Sequence, residues 1–410
     1  MKQSATIASS PRAAWRNPAL GFVCSLGRRI RHGELVVETP GGEVLAFGRD
    51  DGARTDGGRG IWQLHSYRPL WALATRGALG LAESYLSGDW DSPDLTALLT
   101  LAARNERDLG SAAAGSAWLT LPDRLWHRLH ANSRRQAARN IAFHYDLGND
   151  FYAQWLDPSM TYSAALFDGA DEPLESAQLR KYARLADLAG VSAGDRVLEI
   201  GCGWGGFLEY AAGTRGADVT GVSISPAQCG YARERLAAAG LATRARGEQC
   251  DYRDLGGRYP RIVSIEMFEA VGEAYWDTYA RQLAARLAPG GAAALQLITI
   301  AEDRFENYRR NPDFIQRYVF PGGMLPSDSA LAATLARAGL RITARHTCAL
   351  DYARTLACWR ERFDANWPAI GTLGFDARFR RLWHFYLAYC EAGFRTGATD
   401  VVQIRVEHAR

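Results

Sequence analysis

The segment VLEIGCGWGG, Val197 to Gly206, constrains the fold of this chain more than any other stretch. A short apolar strand runs straight into closely spaced glycines, and an apolar helical pattern follows to Ala212. Glycine accepts dihedrals that other residues resist, and it lets a ligand approach the main chain. The free N–H groups of the helix opened by such a turn favour a carboxylate or a phosphate. A strand, a glycine turn and a helix in that order begin a βαβ unit, which requires a parallel partner strand.

The pattern then repeats. Asp218 to Ser223 reads as a second strand, and Pro226 to Ala239 as a helix with proline in its first turn. Arg261 to Glu266 reads as a strand, Tyr275 to Ala288 as a helix closed by Pro289-Gly290-Gly291, and Ala292 to Ile300 as a strand. An insertion rich in arginine and aromatic residues runs to Pro326; two helices near 353–366 and 375–394 precede a last strand, Val401 to Glu407. Strands alternating with helices predict an α/β fold, a mostly parallel Rossmann-like sheet covered on both faces.

Ligands of such sheets bind beyond the carboxyl ends of the strands. The turn is Gly-x-Gly-x-Gly, not the Gly-x-Gly-x-x-Gly of dinucleotide sites. Glu199 precedes it, placed for an amino group, and Gln228, Asp251 and Tyr252 end later strands with groups suited to a ribose or an adenine. These features predict S-adenosylmethionine, held by Gly201 and Gly203 in a class I methyltransferase fold.

Upstream, Gly33 to Phe47 reads as two strands around a Pro40-Gly41-Gly42 turn. Trp71 to Asn105 reads as helices with a break at Ser87-Gly88-Asp89 and an N-cap at Ser92. The expected organisation is a mobile terminus (1–22), a small α+β domain (23–105), a basic connector (106–140) and a catalytic domain (141–410). The connector carries Arg124, His127, Arg128, His130, Arg134, Arg135 and Arg139, either a solvated helix face or a surface for a phosphate-rich partner.

Composition narrows the function. The net charge of +3 demands no nucleic acid. Lys2 and Lys181 are the only lysines, so the basic residues are almost all arginine. The seven cysteines are odd in number and lack zinc or redox spacing, which reads as reduced cytoplasmic thiols without a structural metal. With no apolar run near the ~18 residues of a bilayer span, membrane contact is expected to be peripheral.

Several strings then fall into one order. They are NIAFHYDLGNDFYAQWLDPSMTYSAALF (140–167), GCGWGG (201–206), GVSISPAQ (221–228), DYRD (251–254), MFEAVG (267–272), YVFPGGMLPS (318–327) and YLAYCEAGFR (386–395). Together they resemble the cyclopropane-fatty-acyl-phospholipid synthases and the related mycolic acid cyclopropane synthases. The resemblance covers roughly residues 30 to 408 and includes GLAESYLSGDWD (80–91), similar to the accessory domain of the phospholipid enzymes.

The resemblance implies a substrate: a cis double bond in an acyl chain of a membrane phospholipid. The alkene takes the sulfonium methyl, a carbocation forms, and loss of a proton from the new methyl closes a three-membered ring. Such chemistry needs tight alignment and a dry pocket with aromatic faces. Phe143, Tyr145, Phe151, Tyr152, Phe268 and Tyr352 are available. The implied base is a bound bicarbonate, held by Glu269, Tyr352 and the backbone N–H of Ile298. Tyr162, Ser163 and Ser223 fall in the strings near the cofactor, and Cys390 matches a cysteine sometimes assigned as a nucleophile.

Three positions depart from the family pattern. Ala164 replaces a cysteine, Gln296 a histidine, and Ala270 a histidine found in many members. Glutamine can donate to an anion but cannot carry the charge of an imidazolium. Three outcomes stay open: bicarbonate held by Glu269, Gln296, Tyr352 and Ile298; proton removal by Glu269; or a methyl-branched or methylene chain instead of a ring. Docking to the inner membrane face is expected through the connector and Arg304, Arg309, Arg310 and Arg317, with the N-terminal domain serving lipid capture or homodimer formation.

Overall fold

The computed structural model describes residues 18–48, 58–110 and 147–409. Of the mobile terminus expected over 1–22, residues 1–17 lie outside the described residues, as do the connector residues Arg124 to Arg139, Phe143 and Tyr145; residues 18–22 instead open the helix Pro18–Gly27, in which Leu20 is buried. The chain divides into two compact units, one reaching Leu125 and including Phe375–Thr396, the other holding Trp126–Gly374 and Gly397–Arg410.

In the first unit, β1 (Glu34–Glu38) and β2 (Val44–Gly48) form the hairpin expected around Gly41-Gly42. A strand absent from the sequence reading, β3 (Arg59–Leu64), pairs parallel to β1, and β4 (Trp90–Asp91) pairs with β3. Trp90 is fully buried and meets Trp62 and Tyr85. The helix Leu95–Arg104 is capped by Asp94, whose side chain accepts from the Ala97 N–H at 2.9 Å; Ser92, the expected cap, instead bonds the Asp94 carbonyl.

The helix Ala377–Thr396 joins this first unit and not the catalytic one expected over 141–410. The reason is polar as well as apolar. The Arg381 guanidinium lies over the Tyr85 ring and donates to the carbonyls of Tyr85 and Trp90 and to the Asp91 carboxylate. Thr96 donates to the buried Glu391.

The second unit is the α/β unit. Its seven-stranded sheet has the order β10-β11-β9-β8-β5-β6-β7. These are β5 (Arg196–Ile200), β6 (Asp218–Ser223), β7 (Ala245–Gln249), β8 (Tyr259–Ile265), β9 (Leu287–Ile300), β10 (Leu340–Thr347) and β11 (Thr399–His408). The five strands from β9 to β7 are parallel; β11 runs antiparallel to β9 and to β10. β7 and β10 were not expected. The Pro289-Gly290-Gly291 run sits inside β9, where the pairing jumps from Leu287 opposite Tyr259 to Ala292 opposite Arg261. It is a strand irregularity, where the sequence reading had a helix end.

The strand order reverses between β5 and β8, which places the switch point beside the glycine turn. Side chains alternate along a strand. Leu198 and Ile200 face the core that includes Trp276, Tyr279 and Leu283; Val197 faces the other core, with Leu185 and Ala189 of the helix Leu174–Ala189. Glu199 shares the parity of Val197 and so points to that helix.

Candidate active site

The glycine turn is built as a cradle. Gly201, Gly203 and Gly205 have φ of 87°, 50° and 84°, values that side-chain-bearing residues adopt at a cost. A Cβ on Gly201 would stand 2.8 Å from Met267 Cγ, and one on Gly205 2.9 Å from Ala232 Cβ. A Cβ on Gly203 would meet nothing within 4 Å among the described residues. Packing therefore demands glycine at the outer two positions, while Gly203 opens to space that a ligand can enter.

Glu199 is buried, and its Oε2 has no hydrogen-bond partner among the described residues. Burial pushes its carboxyl up to about 8, against the pull of the Lys181 ammonium. A buried acceptor without a partner costs ~1–3 kcal/mol, and a cationic amino group would relieve it. At the end of β6, the Ser223 hydroxyl donates to Gln228 Oε1 at 2.8 Å, and the Ser225 side chain caps the next helix at the Gln228 N–H. Cys250 N–H bonds the Ser223 carbonyl, which brings Asp251 and Tyr252 beside this pair. The Asp251 carboxylate takes both forks of Arg253, at 2.8 and 2.6 Å, and the Tyr252 ring packs on Tyr279. These residues fit S-adenosylmethionine, with an open glycine, an unsatisfied carboxylate oxygen and polar groups at successive strand ends.

A second cluster sits where β8 and β9 end. Glu266, just past β8, is half-buried and has a φ of 49°, in the left-handed region. Its Oε1 accepts from the Ala164 N–H and from Gln296 Nε2, both at 2.8 Å, and its carboxylate also bonds Tyr352. Burial raises its pKa, opposed by those donors and by Lys181. Gln296 is fixed in orientation, since Gln403 on β11 donates to its Oε1 while its Nε2 also reaches the Ala164 carbonyl. Glu269 Oε1 accepts from the Ile298 N–H, and its Oε2 is buried without a partner among the described residues. Burial first, and the charge of Glu266 second, push the Glu269 carboxyl up to about 8.

Lys181 links the two clusters. It is fully buried, donates from Nζ to Ser163 Oγ at 2.6 Å, and interacts with Glu266, Asp157 and Glu199. Burial pulls its ammonium down to about 8 against those three charges. One helical turn earlier, Gln178 donates to the Ser163 carbonyl at 3.0 Å. Together they hold the segment carrying Tyr162, Ser163 and Ala164.

Aromatic rings line the same region. Tyr162 meets Tyr152, Trp155, Trp359 and Phe320 at centroid distances of 5.5, 5.4, 5.3 and 6.4 Å. Tyr152 continues to Trp204 of the glycine turn, and Trp359 to Tyr352. The wall thus runs from the cradle to the carboxylates. Phe268 is elsewhere, stacked on Trp276 and edge-on to Tyr279 in the core.

The sequence candidates Glu269, Ile298, Gln296 and Tyr352 come together; Cys390 belongs to the first unit, on the helix Ala377–Thr396. Sequence reasoning missed Glu266, Lys181 and Gln178. A signal existed for Lys181, one of only two lysines in a chain otherwise relying on arginine. An ammonium is a compact charge that tolerates burial, whereas a guanidinium needs a planar fork of partners.

Comparison with known proteins agrees with this architecture. A family model, Mycolic acid cyclopropane synthetase, matches residues 132–404. The tuberculostearic acid methyltransferase UfaA1 of Mycobacterium tuberculosis is 44% identical over 81% of this chain and 80% of its own length. The cyclopropane-fatty-acyl-phospholipid synthase of Escherichia coli K12 is 35% identical over 80% of this chain and 82% of its own. Among solved structures, mycolic acid cyclopropane synthase CmaA1 complexed with SAH and CTAB aligns with a TM-score of 0.62 at 29% identity, covering 66% of this chain and 97% of that one. The chain belongs to the mycolic acid cyclopropane synthetase family and is an S-adenosylmethionine-dependent methyltransferase of lipids.

Proposed function

We propose that this enzyme methylates a cis double bond in an acyl chain of a membrane phospholipid and leaves a methyl-branched or methylene-bearing unsaturated chain. The bound cofactor supplies an electrophilic methyl group on a sulfonium centre. The chain's residues do the rest. The aromatic wall from Tyr152 through Tyr162 and Trp359 presents π faces to a substrate carbocation. A half-buried carboxylate at the end of β8 receives the proton that the cation sheds.

The observation that carries this product is the changed proton-removing site. Ala164 and Gln296 both spend their donors on a protein carboxylate. UfaA1, at 44% identity, is named a methyltransferase and not a cyclopropane synthase. A hydride shift toward the first cation gives a tertiary cation, and loss of a proton from its methyl gives a methylene. Atoms and charge balance without a reductant. Ring closure is the second reading, favoured by Glu269, Ile298 and Tyr352, which match the ring-forming pattern, and by the 35% identity to the E. coli synthase.

The test is to incubate the protein with vesicles of unsaturated phospholipid and methyl-labelled cofactor, then identify the acyl product by NMR. A methylene or methyl-branched alkene supports the first reading, a ring the second. No methylated lipid defeats both.

Access to the bilayer is peripheral in this reading. No described helix is long and apolar enough to cross a membrane. In the insertion, Arg309 pairs with Glu273 and Glu306, and Arg310 with Glu306. The exposed helix Glu302–Arg310 therefore offers little uncompensated positive charge, and docking falls more to the connector arginines. Vesicle binding should weaken with salt; salt-independent binding would count against electrostatic docking.

A further inference from the structure

We propose that the Glu266 carboxylate is the built-in proton acceptor of this enzyme, occupying the place where the family pattern implies a bicarbonate. The inference rests on the lipid-methylating reading above. Bicarbonate does not fit the site, because its donors are already used. The Ala164 N–H, the Gln296 amide and the Tyr352 hydroxyl bond Glu266, and the Ile298 N–H bonds Glu269. Gln296, Tyr352 and Ile298 are three of the four residues expected to hold the anion, the fourth being Glu269 itself, and Ala164 stands where the family pattern has a cysteine. A second anion would lie against two carboxylates.

The backbone supports the assignment independently. Glu266 holds a left-handed conformation that only glycine adopts freely. A bulky charged residue kept at a strained position points to function more than to packing. The polar surroundings divide the charge between the two carboxylates. Glu266 has three donors and the nearby Lys181 ammonium; Glu269 has only backbone donors, from Ile298 and its own N–H, and a buried oxygen without a partner among the described residues. Two adjacent carboxylates do not both ionise readily. The negative charge therefore sits on Glu266, and Glu269 stays protonated beside it.

The step balances. After the hydride shift, a C–H bond of the transferred methyl breaks, its electron pair becomes the π bond between that carbon and the cationic carbon to which it is already joined, and the proton passes to the Glu266 carboxylate.

Glu266→Gly is the informative variant, since glycine suits the backbone and opens the anion's place. The wild-type enzyme, assayed in carbon-dioxide-depleted buffer, should turn over within twofold of its rate with added bicarbonate. Glu266→Gly should lose at least 100-fold in turnover while keeping its melting temperature and cofactor affinity, and bicarbonate should restore at least tenfold. Glu266→Gln should be as inactive as Glu266→Gly. A wild-type requirement for bicarbonate, or an active Glu266→Gly in its absence, would overturn the proposal. Binding of 13C-bicarbonate, followed by NMR, is read without any lipid: it should occur in Glu266→Gly and not in wild type. Bicarbonate binding by wild type would sink the assignment even if the lipid reading stood, and absence of lipid methylation would leave this binding test intact.

Discussion

The strand ends of β5 and β8 lie side by side at the switch point, yet they were built by different means. The end of β5 is local. Its glycines, its helix and Glu199 follow one another within ten residues. The end of β8 is assembled from afar. Glu266 is bonded by Ala164, Gln296 and Tyr352, which arrive from a loop, a neighbouring strand and a helix. A cofactor shared by many methyltransferases is met by a portable motif. A proton acceptor specific to one reaction is met by tertiary structure, which can change at single positions.

Lys181 stands between the two regions, so its removal is the most severe way to break the comparison. Lys181→Met strands Glu266, Asp157 and Glu199 without their shared cation. Leaving a buried charge uncompensated costs ~3–5 kcal/mol, which should be measurable by urea unfolding. Both functions should fail together, with cofactor affinity and turnover each falling. Lys181→Arg should not restore them, because Nζ is fully buried within 2.6 Å of Ser163 Oγ. Loss of turnover with full cofactor affinity would show that Lys181 serves the β8 end alone.

Glu199→Gln isolates the β5 end. Charge assistance to the cofactor's ammonium is worth about 2 kcal/mol, so affinity should drop roughly 30-fold. The pH dependence gives a sharper signature. The Glu199 carboxyl is pushed up to about 8 in the free protein, so near pH 7 it is mostly protonated. Binding a cation beside it lowers that pKa and expels a proton. Calorimetry at pH 7 in buffers of different ionisation enthalpy should detect the release in wild type and not in Glu199→Gln. The same shift sets a stability slope. The folded state binds more protons than the unfolded state between about 4.5 and 8, so this group's contribution is full at acid pH and is lost as pH rises through 8.

How much of this was legible before the structure follows from the same contrast. The parallel sheet, the cradle and the positions of Glu199, Ser223 and Gln228 were readable, because each depends on neighbours in sequence. β3, β7 and β10 were not. β7, ARGEQ, and much of β10, LRITARHT, show little apolar character and are half exposed. They are strands because they pair with β6 and β11 at the two edges of the sheet. The Pro-Gly-Gly run read as a helix terminator, yet β9 absorbs it as an irregularity because β8 continues to pair beyond it. The sequence pattern makes Glu266 the last residue of a strand. Nothing in the string SIEMFEA marks its carboxylate as meeting Gln296, which lies 30 residues away.

The glycines divide the β5 end itself into folding and binding parts. Gly201→Ala forces a Cβ to 2.8 Å from Met267 at a left-handed position, so it should lower the melting temperature by several degrees. Gly203→Ala meets no atom of the described residues and costs only the backbone strain, about 1 kcal/mol. Its cofactor affinity should nevertheless fall about tenfold, since the added methyl enters the open side of the turn. Equal thermal loss in both variants, with affinity unchanged, would remove Gly203 from the cofactor surface.

The smallest effect is expected at Cys390. The chemistry needs a proton acceptor and a dry aromatic wall but no covalent intermediate. The residues supplying both, from Tyr152 to Tyr352, fall in the second unit, while Cys390 sits on a helix of the first. That helix is tied to its unit through Arg381 and Glu391, which Cys390→Ser leaves in place. Turnover and cofactor affinity of Cys390→Ser should therefore stay within about twofold of wild type, measured as methyl incorporation into unsaturated phospholipid. A loss beyond 100-fold with the fold intact would require a thiol in the reaction and would reopen the division of labour between the strand ends.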